Sequence, residues 1–119
     1  MSTSEERIQT VLINKSKLLG QSLGIYLTKN IDNISIVGIY QDAVSAYNVL
    51  ETERIDLLII DMALEGESAQ NAIMNLKEFF PDIYVIGIAE NMSLKSIKVI
   101  CDAGTNELVF KHLTTFESI

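Results

Sequence analysis

The sequence predicts one α/β domain: a doubly wound, five-stranded parallel sheet with helices on both faces. Short apolar runs rich in Val and Ile recur along the chain, each too short to be a buried helix. Between them lie stretches whose apolar residues follow helical spacing. The run Ile55-Asp56-Leu57-Leu58-Ile59-Ile60-Asp61 is the most informative, because its aliphatics have no helical period and it sits between a charged stretch and a Glu/Gly loop. A strand buried on both faces of a parallel sheet has this appearance.

In chain order, residues 1–9 form a polar extension and the domain proper spans residues 10–119. Thr10-Val11-Leu12-Ile13 is the first strand and stops at Asn14-Lys15. Ser16 caps a first helix whose stripe of Leu18, Leu19, Ser22, Leu23, Tyr26 and Leu27 is expected to face the sheet. Asn30 to Asn33 breaks that helix, and Ile34 to Tyr40 is a second, β-branched strand. Asp42 caps a second helix with Ala43, Ala46, Tyr47 and Leu50 inside. The central strand then ends at Asp61, and a loop from Met62 to Glu67 leads to a third helix that Ser68 begins and Pro81 ends, with Ile73, Leu76 and Phe80 on one side. Ile83 to Ala89 is the fourth strand, and Asn91 or Ser93 caps a fourth helix carrying Leu94, Ile97, Ile100 and Cys101. Gly104 terminates it, and Leu108-Val109-Phe110 is the fifth strand, ending at Lys111. Thr114-Thr115-Phe116-Glu117 reads as a capping box two residues before the end, so the expectation is a chain that continues past Ile119 or an unusually short last helix.

Composition narrows the function. Nine basic against 16 acidic residues give a net charge of −7, which works against a nucleic-acid or anionic-membrane surface and favours protein partners. No apolar run has the length of a membrane span, and the acidic, polar start does not open a secretory signal, so a cytoplasmic protein is expected. The single Cys101 reads as a small core residue in a reducing compartment. One His and one Cys leave no Ser/His/Asp or Cys/His set, and no Gly-rich phosphate loop is present, so no enzyme is expected and no catalytic residue is assigned.

Right-handed crossovers and the strand order 2-1-3-4-5 would place the topological switch between strands one and three. Asn14, Lys15 and Asp61 would then share one crevice at the strands' carboxyl ends, flanked by Ala89 and Lys111.

These residues resemble the receiver domain of two-component response regulators, from about Thr10 to Ile119. The resemblance rests on Asp61 closing the third strand, Leu64 and Gly66 above it, Phe80-Pro81-Asp82 before strand four, Ala103-Gly104 before strand five, and Lys111 ending it. The texture of Phe80 to Ile88 and of Ala103 to Lys111 is most similar to receivers that precede a LuxR-type DNA-binding domain. The resemblance implies a flavodoxin-like fold and a phosphoacceptor role for the position of Asp61, served by a histidine kinase. It also implies an acidic pair on strand one that holds Mg²⁺, a lysine on strand five, a hydroxyl at the end of strand four and a switch aromatic on strand five.

The sequence keeps the acceptor and the lysine and changes the rest. Asn14 and Lys15 replace the acidic pair, Ala89 the hydroxyl, Leu108 the aromatic and His112 the proline after the lysine, while Ala63 retains a backbone carbonyl for a metal. A lysine ammonium about 4 Å from Mg²⁺ would oppose it by about 2 kcal/mol even at water's dielectric. Magnesium binding is therefore expected to be weak or absent, with no other cofactor. The sharpest expectation is that Lys15 takes the metal's place and pairs with Asp61, aided by Lys111.

Plainer readings stand beside it. Asp61 would be a loop cap or an ordinary partner of Lys111, and Lys15 a solvated side chain. Glu65, Glu67 and Glu90 would be surface charges rather than substitute ligands, and His112 a surface residue. The leading expectation is an atypical receiver: a signalling and dimerisation module of a transcriptional or other regulator, working without Mg²⁺-dependent phosphorylation. Its homodimer would form through the fourth helix, fifth strand and fifth helix, with Lys95, Lys98, Asp102 and Glu107 paired across a two-fold axis, and a DNA-binding output domain would lie beyond residue 119. The alternatives are a working phosphoacceptor modified on Asp61 by a histidine kinase, and a small-molecule sensor using the crevice.

Overall fold

A computed structural model describes residues 7–63, 69–89, 102 and 104–110. Strands β1 (Ile8–Ile13), β2 (Ile34–Tyr40), β3 (Leu57–Asp61), β4 (Tyr84–Ala89) and β5 (Glu107–Phe110) alternate with helices α1 (Lys17–Asn30), α2 (Ala43–Thr52) and α3 (Ala69–Phe79) in its first part. All strand pairs are parallel, and the hydrogen-bonded order is β2-β1-β3-β4-β5. The fold is thus a flavodoxin-like α/β sheet. The fourth helix, the last helix, Ser68, Cys101, Lys95, Lys98 and the Thr114 capping box lie outside the described residues, apart from the helical Asp102.

β1 begins two residues earlier than its apolar run suggests. Ile8 and Gln9 pair with Ile34 and Ser35, and the Gln9 amide donates to Asp56 Oδ2 at 2.9 Å, so strand pairing draws polar sequence into the sheet.

Side-chain alternation sorts the sheet into two faces. Val11, Ile13, Leu58, Ile60 and Val85 meet Ala43, Ala46 and Leu50 of α2 and Ala72, Ile73 and Leu76 of α3 in one buried cluster. Tyr47 adds edge-to-face contacts with Phe79 and Phe80, centroids 6.3 and 6.1 Å away. β2 carries a register shift between Thr10 and Val11 of its partner strand, which leaves Val37 as an extra residue. Across this bulge Val37 and Tyr40 join the α2 cluster, whereas Ile36 and Ile39 line a groove against α1.

The caps are those the residue types dictate. Ser16 Oγ accepts from the Leu19 amide at 3.1 Å, and Asp42 Oδ1 accepts from the Ser45 amide at 2.8 Å. α3 stops one residue before Phe80, whose amide closes the last turn on the Leu76 carbonyl before Pro81.

The expected inner face of α1 is corrected by the structure. Leu18, Leu19, Ser22 and Tyr26 are exposed, Leu23 and Leu27 are half-buried, and the residues buried against the sheet are Gly20 and Gly24. A Cβ built on Gly20 would lie 2.8 Å from Ile39 Cγ2, and one on Gly24 3.4 Å from Ile39 Cδ1. The helix packs closely on β2 through its smallest residues, and Leu18, Leu19, Ile25 and Tyr26 are left exposed.

Candidate functional site

The site forms where β1 and β3 end. Their register pairs Leu12 with Ile59 and Ile13 with Ile60, so Asn14 and Asp61, one residue further along each strand, stand side by side. Both belong to the parity of Leu12 and Ile59, and both are buried, at 6% and 3% exposure.

Each of these two polar side chains accepts from a backbone amide two residues ahead. Asn14 Oδ1 accepts from the Ser16 amide at 2.9 Å, and Asp61 Oδ1 from the Ala63 amide at 3.0 Å. Such a contact closes the chain into a turn and answers a backbone donor that would otherwise be lost at the strand tip. On the β1 side the turn feeds the Ser16 cap of α1, and the Asn14 amide itself donates to the Tyr40 carbonyl at 2.8 Å. Gln41 Nε2 donates to the Lys15 carbonyl at 3.0 Å, tying the same loop to the end of β2.

Lys15 does not take the expected position. It is exposed, and no ion pair joins it to Asp61; the ion pair among the described residues is Arg54–Asp56 at 3.7 Å, at the opposite end of the strands. Lys15 lies past the end of β1, in the turn that Asn14 closes on the Ser16 amide. The idea that a lysine fills the metal position beside Asp61 is thereby overturned.

Ala89 closes β4 at 2% exposure. Asp61 is level with Ile88, so Ala89 lies one step beyond it, with only a methyl to offer. Met62 is half-buried and its amide donates to the Ile88 carbonyl, which leaves Ala63 exposed at the start of the loop. Lys111, Leu64, Glu65, Gly66, Glu67, Glu90 and His112 lie outside the described residues, as does the side chain of Leu108.

Magnesium needs octahedral oxygen ligands with carboxylates among them. The described residues here supply one carboxylate, Asp61, and one carboxamide whose oxygen is turned to the Ser16 amide. No three His, Cys, Asp or Glu side chains cluster among the described residues. That donor set does not fit the ion. The described cavities also lie elsewhere, between α1 and β2, at the Phe79–Ile83 turn, and between the starts of α1 and α2.

Reading the sequence singled out Asn14 but missed its partner. The signal was present, since Asn followed two residues later by a capping Ser is an Asx-turn pattern. Gln41 carried no such signal, because its bond depends on the β1–β2 pairing.

A five-stranded parallel sheet with one buried aspartate at the tip of its central strand defines a receiver-type signalling domain. The chain matches the response regulator receiver domain over residues 11–117 and belongs to that family. Among solved structures it is similar to the isolated REC domain of RcsB from Salmonella enterica serovar Typhimurium, in the presence of phosphomimetic BeF3-. The two share 18% identity at a TM-score of 0.80, over 89% of this chain and 78% of that one. RcsB from the same organism bound to promoter rprA is also 18% identical, with a TM-score of 0.78 over 88% of this chain and 60% of that one. A LuxR-family two-component response regulator from Aurantimonas sp. SI85-9A1 is 15% identical, with a TM-score of 0.78 over 88% and 74%. At these identities the likeness establishes the fold. The chain spans 53% of the RcsB chain in the structure of two RcsB dimers bound to two parallel DNAs. No curated protein matches the chain in sequence. No helix among the described residues is long and apolar enough to cross a membrane.

Proposed function

We propose that this receiver domain signals through protein contact, without Mg²⁺-dependent phosphorylation of Asp61, and acts by binding rather than catalysis. The observation that carries this reading is the Asn14–Ser16 turn. Where a phosphorylatable receiver needs carboxylates, this chain has a carboxamide whose oxygen holds its own backbone, followed by an exposed lysine. Phosphoryl transfer depends on charge neutralisation around the transferred group, and among the described residues the end of β1 offers no carboxylate to hold an ion for it. Ala89 supplies no hydroxyl to follow a phosphoryl oxygen.

The similarity to RcsB, which has been captured bound to promoter DNA and as dimers on DNA, supports a place in a LuxR-type transcriptional regulator with a DNA-binding output domain. For a dimer through the fourth helix, β5 and the fifth helix, Asp102, Glu107 and Val109 are exposed. Glu107 already accepts a hydrogen bond from Tyr84 of its own chain, so it is a poorer candidate for pairing across a two-fold axis.

Incubation with acetyl phosphate and Mg²⁺, followed by intact mass measurement with Asp61→Asn as control, tests the proposal. No mass increase is expected. One added phosphoryl group, lost in the control, would establish the alternative of a working phosphoacceptor, with which the position of Asp61 at the tip of β3 is consistent.

A further inference from the structure

The two edges of the sheet differ. β5 closes one side with four residues, Glu107 among them, whereas β2 presents seven, Ile34 to Tyr40, with no charged residue and no proline. Edge strands are usually blunted by short length, charge or proline, because their unpaired amides and carbonyls invite another strand. Hydrogen bonding fixes which groups of β2 face outward. The Ile8 amide donates to the Asn33 carbonyl at 2.7 Å and the Asn14 amide to the Tyr40 carbonyl at 2.8 Å, which sets Ser35 and Tyr40 toward β1. Ile34, Ile36 and, past the bulge at Val37, Ile39 therefore turn their backbone groups to the open side. Arg7 agrees with this phase, since its Nη1 donates to the outward Ile34 carbonyl at 3.2 Å.

A groove of about 560 Å³ runs along the same edge between α1 and β2, walled by Ile25, Thr28, Lys29, Ile36 and Ile39 with Gly24 at its floor. A strand added at the usual spacing of about 4.8 Å from β2 would set every second side chain on the α1 side, over this groove. Main-chain pairing would give affinity there, and the groove would select the alternate side chains.

Charge around the edge selects the partner. Arg7 and Lys29 stand near the Ile34 end and Lys15 and Lys17 near the Tyr40 end, all four exposed. Against them are Asp32 and Asp42, and Asp42 already accepts from the Ser45 amide. The edge thus has a cationic rim on a chain of net charge −7. A second copy paired antiparallel through β2 would bring Lys17 toward Lys29 of the other copy, so self-pairing is disfavoured.

We propose that β2 is a strand-addition site: an extended segment of another protein, apolar at every second residue and acidic at its ends, pairs with the open edge. Its backbone would bond to Ile36 and Ile39, its apolar side chains would lie in the α1–β2 groove, and its carboxylates would meet Lys17 and Lys29. β1 separates this edge from Asp61, and pairing is independent of any modification there.

The test titrates short synthetic peptides of alternating Val and Thr into the isotopically labelled protein. One set is flanked by Glu, a second by Lys, and a third is flanked by Glu but N-methylated at alternate residues, which removes main-chain donors and keeps the side chains. The first set should shift the amides of Ile34 to Tyr40 saturably, slow hydrogen exchange at Ile36 and Ile39, and bind at least about tenfold more tightly than either other set. Lys17→Glu with Lys29→Glu, both at exposed positions, should reverse the preference between Glu and Lys flanks. Equal affinity for the N-methylated and unmodified peptides, shifts confined to another surface, or no binding would overturn the proposal. Self-association by sedimentation, with the protein's own Ile36 and Ile39 amides protected on dimerisation, would assign the edge to a second copy and overturn it as well.

Discussion

At the scale of single residues, the two glycines of α1 behave differently although they share one face. Alanine at position 20 would press on Ile39 Cγ2, a methyl fixed to the β carbon that cannot swing aside, whereas alanine at position 24 would meet Ile39 at ordinary contact distance. Replacing a mid-helix glycine by alanine gains about 0.5–1 kcal/mol, and overpacking costs about 1–3 kcal/mol. Gly24→Ala should therefore be neutral or slightly stabilising and Gly20→Ala destabilising, as urea denaturation will measure. Asp42 offers a second contrast. Its bond to the Ser45 amide, aided by the Ser45 side chain and only weakly opposed by desolvation, holds its carboxyl below the usual aspartate range. A depressed carboxyl contributes stability that is present above its unfolded value of 3.8 and is lost as pH falls through the folded one. Asp42→Ala should cost about 0.5–2 kcal/mol at neutral pH, a difference that shrinks in acid below that range.

Among the elements, the junction of α3, β4 and β5 hangs on a lysine and an asparagine. Lys77 Nζ donates to the Ile83 carbonyl at 2.8 Å, and Asn106 Oδ1 accepts from the Val85 amide at 2.7 Å. Lys77 Nζ also reaches the Pro81 carbonyl and Asn106 Oδ1, each at 3.4 Å, and the Asn106 amide donates to Val85. Asn106→Ala strands the Val85 amide in a part-buried position, so a loss of about 1–3 kcal/mol is expected in a denaturation midpoint. Gly104 sits at φ +123°, where an L side chain is strained, so Gly104→Ala should also destabilise, with Lys77 crowding the new methyl. Deeper in the sheet, Leu76→Ala in the α2/α3 cluster should cost about 2–5 kcal/mol.

These elements also show what the sequence made legible. The strand runs, the Ser16 and Asp42 caps and the α2 face could be read because each is set by local chemistry: β-branched runs, side-chain acceptors, helical spacing. The α1 face could not, because spacing arguments weigh large apolar residues, while here the closest approach to the sheet is made by Gly20 and Gly24. At the site, Asp61 and Asn14 were legible as neighbours once parallel order was assumed. The exposure of Lys15 was not, since it depends on the turn that Asn14 closes on the Ser16 amide after β1.

For the molecule as a whole, the buried carboxamide and carboxylate at the sheet's crest each close a turn of their own chain. Restoring what the crest lacks should restore chemistry: Asn14→Asp, Lys15→Asp and Ala89→Thr together are expected to give Mg²⁺-dependent labelling of Asp61 by acetyl phosphate. The most direct measurement is a Mg²⁺ titration of the unmodified protein, following the amide resonances of Ser16 and Ala63. Through millimolar magnesium those resonances should not move in a saturable way, because the described residues offer the ion one carboxylate and an occupied carboxamide. Saturable shifts at both amides, abolished by Asp61→Asn, would contradict the account.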